Sequence, residues 1–332
     1  MDPAEIASAW RLTEPIALRA AGSGTNNQTR VIETIDGSFV LRIYVNTRDP
    51  RRVRYEHAIL MALQVQALPF SVPSPVTARS GETFVTLADG ALAALFPRLP
   101  GVAPDRANHS HVRGCGAALA TLHAALRHLD VAPPPGLDLP TYGDLDRIHP
   151  RVPDPWSLPE ALAIREVIPP LYGALPRQLC HNDFSPGNTL FAGDRLSAIL
   201  DFEFAGPDLR AIDVAVGWYW SVHSRWWSGT ELDTIHAFLQ GYCSIAPLTT
   251  AELEAMPALV RLAATASLVH WTGRHRDGHA SNARLAEQTE RLLDLDRWLT
   301  AHAAAFRSTI SSIVRLESTE RPSASTSLSA EA

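Results

Sequence analysis

The chain has 332 residues, 46% of them hydrophobic and 19% charged, so a sizeable core can form and global disorder is excluded. Its formal charge of −6 comes from mixed signs, with no basic block interleaved with aromatics, which argues against a nucleic-acid partner. Three cysteines (Cys115, Cys180 and Cys243) make no disulfide framework, no apolar run is long enough to span a bilayer, and the first ten residues lack the pattern of a secretion signal, so a cytoplasmic protein without a membrane partner is expected.

Ile16 to Ala20 reads as a strand, and Gly22-Ser23-Gly24-Thr25-Asn26-Asn27 as a turn-rich loop. Gln28 to Thr34 alternates and is rich in β-branched residues, Asp36-Gly37 signals a hairpin, and Ser38 to Tyr44 follows as the next strand. Asp49-Pro50 has the chemistry of a helix start, with Asp as cap and Pro at the first helical position. That helix is expected to run to about Ala67, where Pro69, Pro73 and Pro75 stop it. Phe84 to Leu87, an Asp89-Gly90 turn and Ala91 to Phe96 predict a second hairpin, closed by Pro97 and Pro100-Gly101.

Beyond residue 100 the pattern turns helical, with Val112, Cys115, Leu119, Leu122 and Leu126 at helical spacing. Pro-rich connectors occupy 132–140 and 150–159. Gln178 to Gly206 is the exception, with two short apolar strands and polar loops. Helices resume from Ile212 to about Ala305, and the Ser/Thr/Glu/Ala-rich tail is expected to be disordered.

Chemistry concentrates in Cys180-His181-Asn182-Asp183-Phe184-Ser185-Pro186-Gly187-Asn188, which fits the H-x-D-x-x-x-x-N catalytic loop of kinases. Asp183 is an anionic acceptor able to orient a substrate hydroxyl and take its proton. Asn188 offers a neutral oxygen to a metal ion, and Pro186-Gly187 bends the chain so that both side chains face one cleft. The apolar strand Leu196 to Leu200 then ends in Asp201-Phe202-Glu203, which puts Asp201 where kinases carry a metal-binding carboxylate. Mg²⁺ takes oxygen ligands and keeps substrate phosphates in its shell, so one carboxylate and one amide suit it.

The first lobe adds an independent element. Arg42 shares a strand face with Val40 and Tyr44. Glu56 falls on the apolar helix stripe of Val53, Leu60 and Leu63, where a carboxylate is costly without a partner. Arg42 is the natural partner, in the arrangement of a kinase Lys–Glu pair, with Arg in place of Lys. The loop Gly22, Ser23, Gly24, Thr25 and Asn26 is placed to cover ATP phosphates through its N–H groups. Adenine is expected at the Phe96 carbonyl and the Arg98 N–H, since Pro97 has no N–H. The expected division is therefore 1–96 nucleotide-binding lobe, 97–101 hinge, 102–310 catalytic and substrate lobe, and 311–332 disordered tail.

Other features read as bland. Cys180 and His181 are adjacent on a strand and face opposite sides, which does not suit a nucleophile–base pair. His270, His275 and His279 lack a tight ligand spacing. Trp218, Trp220, Trp226 and Trp227 read as core or cleft wall.

HNDFSPGN, then ILDFEFAG, then Asp213 in RAIDVAVG together resemble the aminoglycoside phosphotransferase and choline kinase superfamily, over roughly residues 20 to 300. The resemblance implies a bilobal, protein-kinase-like α+β fold, with a small β-rich N-lobe carrying one main helix and a larger, mostly helical C-lobe. It implies ATP and Mg²⁺ as cofactors, Asp183 as catalytic base, Asn188 and Asp201 as metal ligands and Asp213 as a structural residue. Asp-Phe-Glu is usual in the small-molecule kinases of this group, whereas Gly is common where this chain has Asn182. Only eleven residues separate Asp201 from Asp213 and no A-P-E follows, which leaves no room for a peptide-seating activation loop.

Within the superfamily the chain is most similar to bacterial homoserine kinases, in LPFSVPSPVTARSGETF, ALAALFPRLPG, GAALATLH, LFAGDRLSAILDFEFAGPDLRAIDVAVGWYW and SLVHWTGRH. The expected acceptor is a small-molecule hydroxyl, homoserine or a similar amino alcohol, on a monomer or homodimer. An aminoglycoside O-phosphotransferase and a nucleotide-binding pseudokinase regulator are the alternatives. Acceptor contacts are expected from Glu203, Asp208, Trp218, Trp220, His270 and Arg274, with Arg274 as the cation for a carboxylate.

Overall fold

The computed structural model describes residues 3–14, 16–20, 27–223 and 225–320. Strands β1 (Ala17–Ala20), β2 (Gln28–Thr34), β3 (Gly37–Tyr44), β4 (Val85–Thr86) and β5 (Leu92–Pro97) form one antiparallel sheet in the order β1-β2-β3-β5-β4. The first hairpin turns at Ile35-Asp36, and Gly37, at φ +133°, supplies the conformation that lets β3 start directly opposite Thr34.

Period-two alternation gives this sheet two covered faces. On one face Ile32, Leu41, Ala93 and Leu95 pack with Ile6 and Trp10 of α1 (Pro3–Trp10). This short helix is not among the elements expected from sequence, although Asp2-Pro3 carries the same start signal as Asp49-Pro50. Arg42, Tyr44 and Phe96 point to the other face, which α2 (Pro50–Gln64) covers with Val53, Leu60 and Leu63. Asp49 caps α2 as expected, accepting from the Arg51 N–H at 2.9 Å. The helix stops at Gln64, three residues before the expected Ala67, because the chain bends toward Pro69 through Gln66 and Leu68 turns.

Gly101 explains how the chain crosses between the lobes. At φ +130° a Cβ there would lie 2.8 Å from Ser197 Oγ and 2.9 Å from Leu190 Cβ. Only glycine permits that approach, so the linker lies flat against the strand pair between Asn188 and Asp201.

The second lobe begins with α3 (His109–Arg127), followed by the short α4 (Pro159–Ile164) and α5 (Ile168–Ala174). Sequence suggested two strands in the next segment; the structure has four. β6 (Arg177–Cys180) pairs with β9 (Gly206–Leu209), and β7 (Thr189–Ala192) pairs with β8 (Arg195–Ile199). Helices α6 (Arg210–Val222), α7 (Glu231–Cys243), α8 (Thr250–Arg276), α9 (Asn282–Ala301) and α10 (Ala303–Glu320) complete the lobe. α3 and α7 touch backbone to backbone, since a Cβ on Gly116 would fall 2.0 Å from Phe238 O and one on Gly241 2.0 Å from Arg113 O. Arg210 Nε reaches Glu252 at 2.6 Å and ties α6 to the capping box that starts α8.

The expected disorder from residue 311 is corrected. α10 continues to Glu320, because Phe306, Ile310 and Ile313 recur at helical spacing and bury against the lobe. Residues 321–332 lie outside the described residues. Among the described residues no helix is long and apolar enough to cross a membrane.

Candidate active site

The site is assembled around the turn that leaves β6. Asp213, fully buried on α6, accepts from the His181 N–H (2.8 Å) and the Asn182 N–H (3.0 Å), and its Oδ2 lies 3.0 Å from His123 Nε2. His123 Nδ1 in turn meets Tyr242 OH at 2.8 Å. Burial raises the Asp213 carboxyl, but the His123 hydrogen bond and the other donors hold it below its usual range. It is thus a fixed anion that clamps the backbone before Asp183. His181 bridges the Asp183 loop and the end of β8, with Nε2 2.9 Å from Leu200 O and Nδ1 accepting the Asp183 N–H at 3.2 Å.

Two non-glycine residues here take left-handed backbone, Asn182 (φ +62°) and Asp201 (φ +64°). Asn182 is held there by donating Nδ2 to Phe204 O (3.1 Å) and Gly206 O (3.2 Å). Those bonds are what an Asn adds where a Gly would only supply the dihedral. Tyr142 OH donates to Asn182 O at 2.6 Å. The residue ahead of Asp183 is therefore gripped from three sides.

Asn188 donates Nδ2 to the Asp183 carbonyl (2.9 Å) and to Asp183 Oδ2 (3.0 Å). This spends the amide nitrogen and turns the amide oxygen away from Asp183. Leu200 N–H donates to Asn188 O at 2.8 Å across the β7–β8 ladder, which brings Asn188 beside Asp201. The donor set fits a hard divalent cation, since it offers an amide oxygen and carboxylates and no soft ligand. Burial, and then the charges of Asp201 and Glu203, push the Asp183 carboxyl well above its usual range. Glu203 is raised to about 7, chiefly by burial and next by Asp201.

The expected pair in the first lobe is present. Arg42 Nη1 lies 3.0 Å from Glu56 Oε1, and its Nη2 reaches across the cleft to Asp201 Oδ1 at 3.0 Å. Tyr44 OH donates to the other Glu56 oxygen at 3.0 Å. Burial raises the Glu56 carboxyl despite the guanidinium beside it. Further bonds close the cleft: Asn27 Nδ2 donates to Glu203 Oε2 (2.7 Å), and Arg52 donates through Nε and Nη2 to Glu203 O (3.2 and 3.0 Å).

Between the lobes lies a cavity of about 590 Å³. Asp183 and Glu203 line one part of it; Trp220, His270, Trp271, Arg284, Gln288 and Arg291 line another. Four expected acceptor contacts are thus in its wall: Glu203, Asp208, Trp220 and His270. Burial, and then Arg274, push His270 down to about 3, so it presents a neutral imidazole.

Other expectations are corrected. Trp218 is fully buried and packs against Phe306 with ring centroids 5.7 Å apart; it is core, because it sits on the face of α6 opposite the cavity residues Val216 and Trp220. Arg274 is not in the cavity wall; it donates to Asn46 Oδ1 at 2.6 Å and lies over the Trp271 ring. Asp208 touches the cavity, but its carboxylate is taken by the Tyr142 N–H (2.8 Å), Tyr172 OH (2.7 Å) and its neighbour Leu209 N–H (2.7 Å), so it anchors a loop. The Arg98 N–H donates to Ser38 O at 2.9 Å, and antiparallel alternation turns the Phe96 backbone toward Val40 in the same way. Neither faces outward as an adenine contact. Gly22, Ser23, Gly24, Thr25 and Asn26 lie outside the described residues.

Sequence reasoning missed Tyr142, Arg52, Trp271, Arg284, Gln288 and Arg291. One of them was legible. Leu285, Gln288, Leu292, Leu295 and Leu299 form a single apolar stripe on α9, and Gln288 is its one polar member. Cys180, His123 and Asp213 sit close together, but both His123 nitrogens and the Asp213 oxygens are engaged and burial raises the Cys180 thiol, so they form a packing cluster.

Residues 17–253 match the family model described as the phosphotransferase enzyme family. The chain is 34% identical over 275 residues to a homoserine kinase of Gluconacetobacter diazotrophicus, covering 79% of this chain and 82% of that one. It is 33% identical over 262 residues to a homoserine kinase of Acidiphilium cryptum, covering 75% and 78%. In fold it is similar to the amicoumacin kinase hAmiN in complex with AMP-PNP, Ca²⁺ and Ami (TM-score 0.70, 16% identity, 89% of this chain and 92% of that one). It is also similar to a microcompartment-associated aminopropanol kinase (TM-score 0.69, 20% identity, 91% and 97%). The chain belongs to the phosphotransferase enzyme family and is a small-molecule kinase that phosphorylates a hydroxyl group.

Proposed function

From that membership we propose that this kinase transfers the γ-phosphoryl group of Mg-ATP to the side-chain hydroxyl of homoserine. The observation that carries the reading is that Asp183, bonded to Asn188 and within electrostatic reach of Asp201, lines one end of a cavity whose other walls hold both acidic and basic groups. Asp183 orients the acceptor hydroxyl and receives its proton. Asn188 and Asp201 are the residues that would hold Mg²⁺, whose charge offsets that of the phosphate oxygens. Arg42, pinned by Glu56, stands where a phosphate oxygen can replace the Asp201 carboxylate on its free edge. Most of the acceleration comes from positioning and charge complementarity.

The acceptor is supported by the homoserine kinases to which the chain is more than 30% identical over most of its length. The test is ADP release from the purified chain with Mg-ATP and a panel of homoserine, choline, methylthioribose and an aminoglycoside. Selective turnover of homoserine, abolished by excess EDTA and restored by Mg²⁺, is expected. Turnover of another acceptor overturns the substrate, and tight ATP binding without any turnover points to a regulator.

A further inference from the structure

The far wall of the cavity carries polar groups that phosphoryl transfer does not use. Gln288 is 5% exposed and lines the cavity, and its Nε2 has no hydrogen-bond partner among the described residues. An amide donor left in that state is destabilising, so a stripe of leucines holding it needs a reason. One turn away on the same face of α9, Arg284 and Arg291 flank it. Arg284 Nη1 donates to Glu287 Oε2 at 2.8 Å, and Arg291 donates to the other oxygen of the same carboxylate. Two guanidinium groups thus share one carboxylate, leaving a surplus positive charge on the wall. Indole faces from two other helices fix their planes. Arg284 lies 4.5 Å over Trp271, and Arg291 lies 5.7 Å over Trp220.

On the catalytic side the complement is reversed. Glu203 Oε1 is buried and has no hydrogen-bond partner among the described residues. The cavity therefore presents a surplus acceptor near Asp183 and surplus donors on α9.

We propose that Gln288, with Arg284 and Arg291, forms the subsite that reads the carboxylate of the acceptor, so that the kinase selects a hydroxylated α-amino acid over the amino alcohol lacking that group. This rests on the homoserine reading above and goes beyond it by assigning the discriminating residues. The ammonium of the same zwitterion faces Glu203, which places the hydroxyl at Asp183. The amide N–H and a planar guanidinium edge are well shaped for a carboxylate.

The test uses the full chain with Mg-ATP and two acceptors: L-homoserine, and 3-aminopropan-1-ol, which is homoserine without its carboxylate. Wild type is expected to favour homoserine in kcat/KM by about 100-fold or more, since a site built to bond a polar group rejects an analogue lacking it. Gln288→Leu and Arg284→Met are each expected to raise the homoserine KM about tenfold with kcat within about threefold, and to lower the homoserine-to-aminopropanol ratio by about tenfold. Gln288→Glu, which sets an acid against the carboxylate and keeps the shape, is expected to lower the ratio further, with Tm measured to show that the variant is folded at the assay temperature. Equal loss on both acceptors, or an unchanged ratio in an active Gln288→Leu protein, overturns the subsite while leaving the homoserine reading intact. A wild type that releases no ADP with homoserine overturns that reading and the subsite with it.

Discussion

Asp183, Asn188 and Asp201 lie within one run of strand, loop and hairpin, whereas Trp220, His270 and Gln288 reach the cavity from α6, α8 and α9. The first group is held by backbone. His181 and Asn182 N–H groups are fixed on Asp213, the Asn188 N–H is fixed on Ser185 O, Asn188 Nδ2 is bonded to the Asp183 carbonyl, and ladder bonds set the hairpin. The second group is held by helix packing, in which residues far apart in sequence are brought to one surface. Changes in the backbone-held loop are expected to act on turnover, and changes in the helical wall on acceptor affinity or on folding.

The sharpest way to break that division is Asp183→Ala. Turnover is expected to fall roughly 10³–10⁴-fold while ATP binding persists, measured by steady-state ADP release and nucleotide titration. Near-normal kcat removes Asp183 from the chemistry.

Trp218 and Trp220 test the other side, since they sit two residues apart on α6 and the sequence offers no basis for separating them. Trp218→Ala leaves a cavity against Phe306 and is expected to cost about 3–5 kcal/mol in denaturant unfolding. Trp220→Ala removes a cavity wall and the ring under Arg291; it is expected to raise the acceptor KM and to lower stability by less than half as much. Equal stability losses would erase the distinction.

Tyr142 joins the two regions, because it lines the cavity and donates to Asn182 O. Tyr142→Phe keeps the ring and deletes the bond, so kcat is expected to drop about tenfold, with acceptor KM within about threefold. A change confined to KM would make Tyr142 part of the acceptor wall alone.

The smallest effect is expected from pH. Burial pushes the Asp208 carboxyl up to about 6, against the pull of its Tyr172, Tyr142 and Leu209 donors. The folded state then holds a proton that the unfolded chain has released, so the Asp208 contribution to stability falls as pH rises from about 4 to 6 and is level above that. Asp208→Asn is expected to flatten this part of the stability–pH curve in urea unfolding. An unaltered slope would mean that Asp208 ionises normally within its loop.

Much of the first lobe was legible because its signals are local. Asp49-Pro50 capped a helix as expected, and alternation along β3 put Arg42 and Tyr44 on the face that meets Glu56. The Asp201 partner of Arg42 was not legible, since it depends on how far the lobes close. Arg98 failed as an adenine contact because strand pairing, which spacing does not report, gave its N–H to Ser38. Arg274 lies outside the cavity wall because it stacks on Trp271 and bonds Asn46, whereas Arg284 and Arg291 of α9 line the cavity.

By itself the sequence determined that this protein transfers a phosphoryl group. That chemistry needs a carboxylate, an amide and a second carboxylate at short, fixed separations, and a short separation is preserved when the chain is read as a line. Which groups face the cavity was decided only by the tertiary structure. A helix shows half its residues to the core, and which of its polar residues end up there depends on how α6, α8 and α9 rotate as their apolar stripes pack.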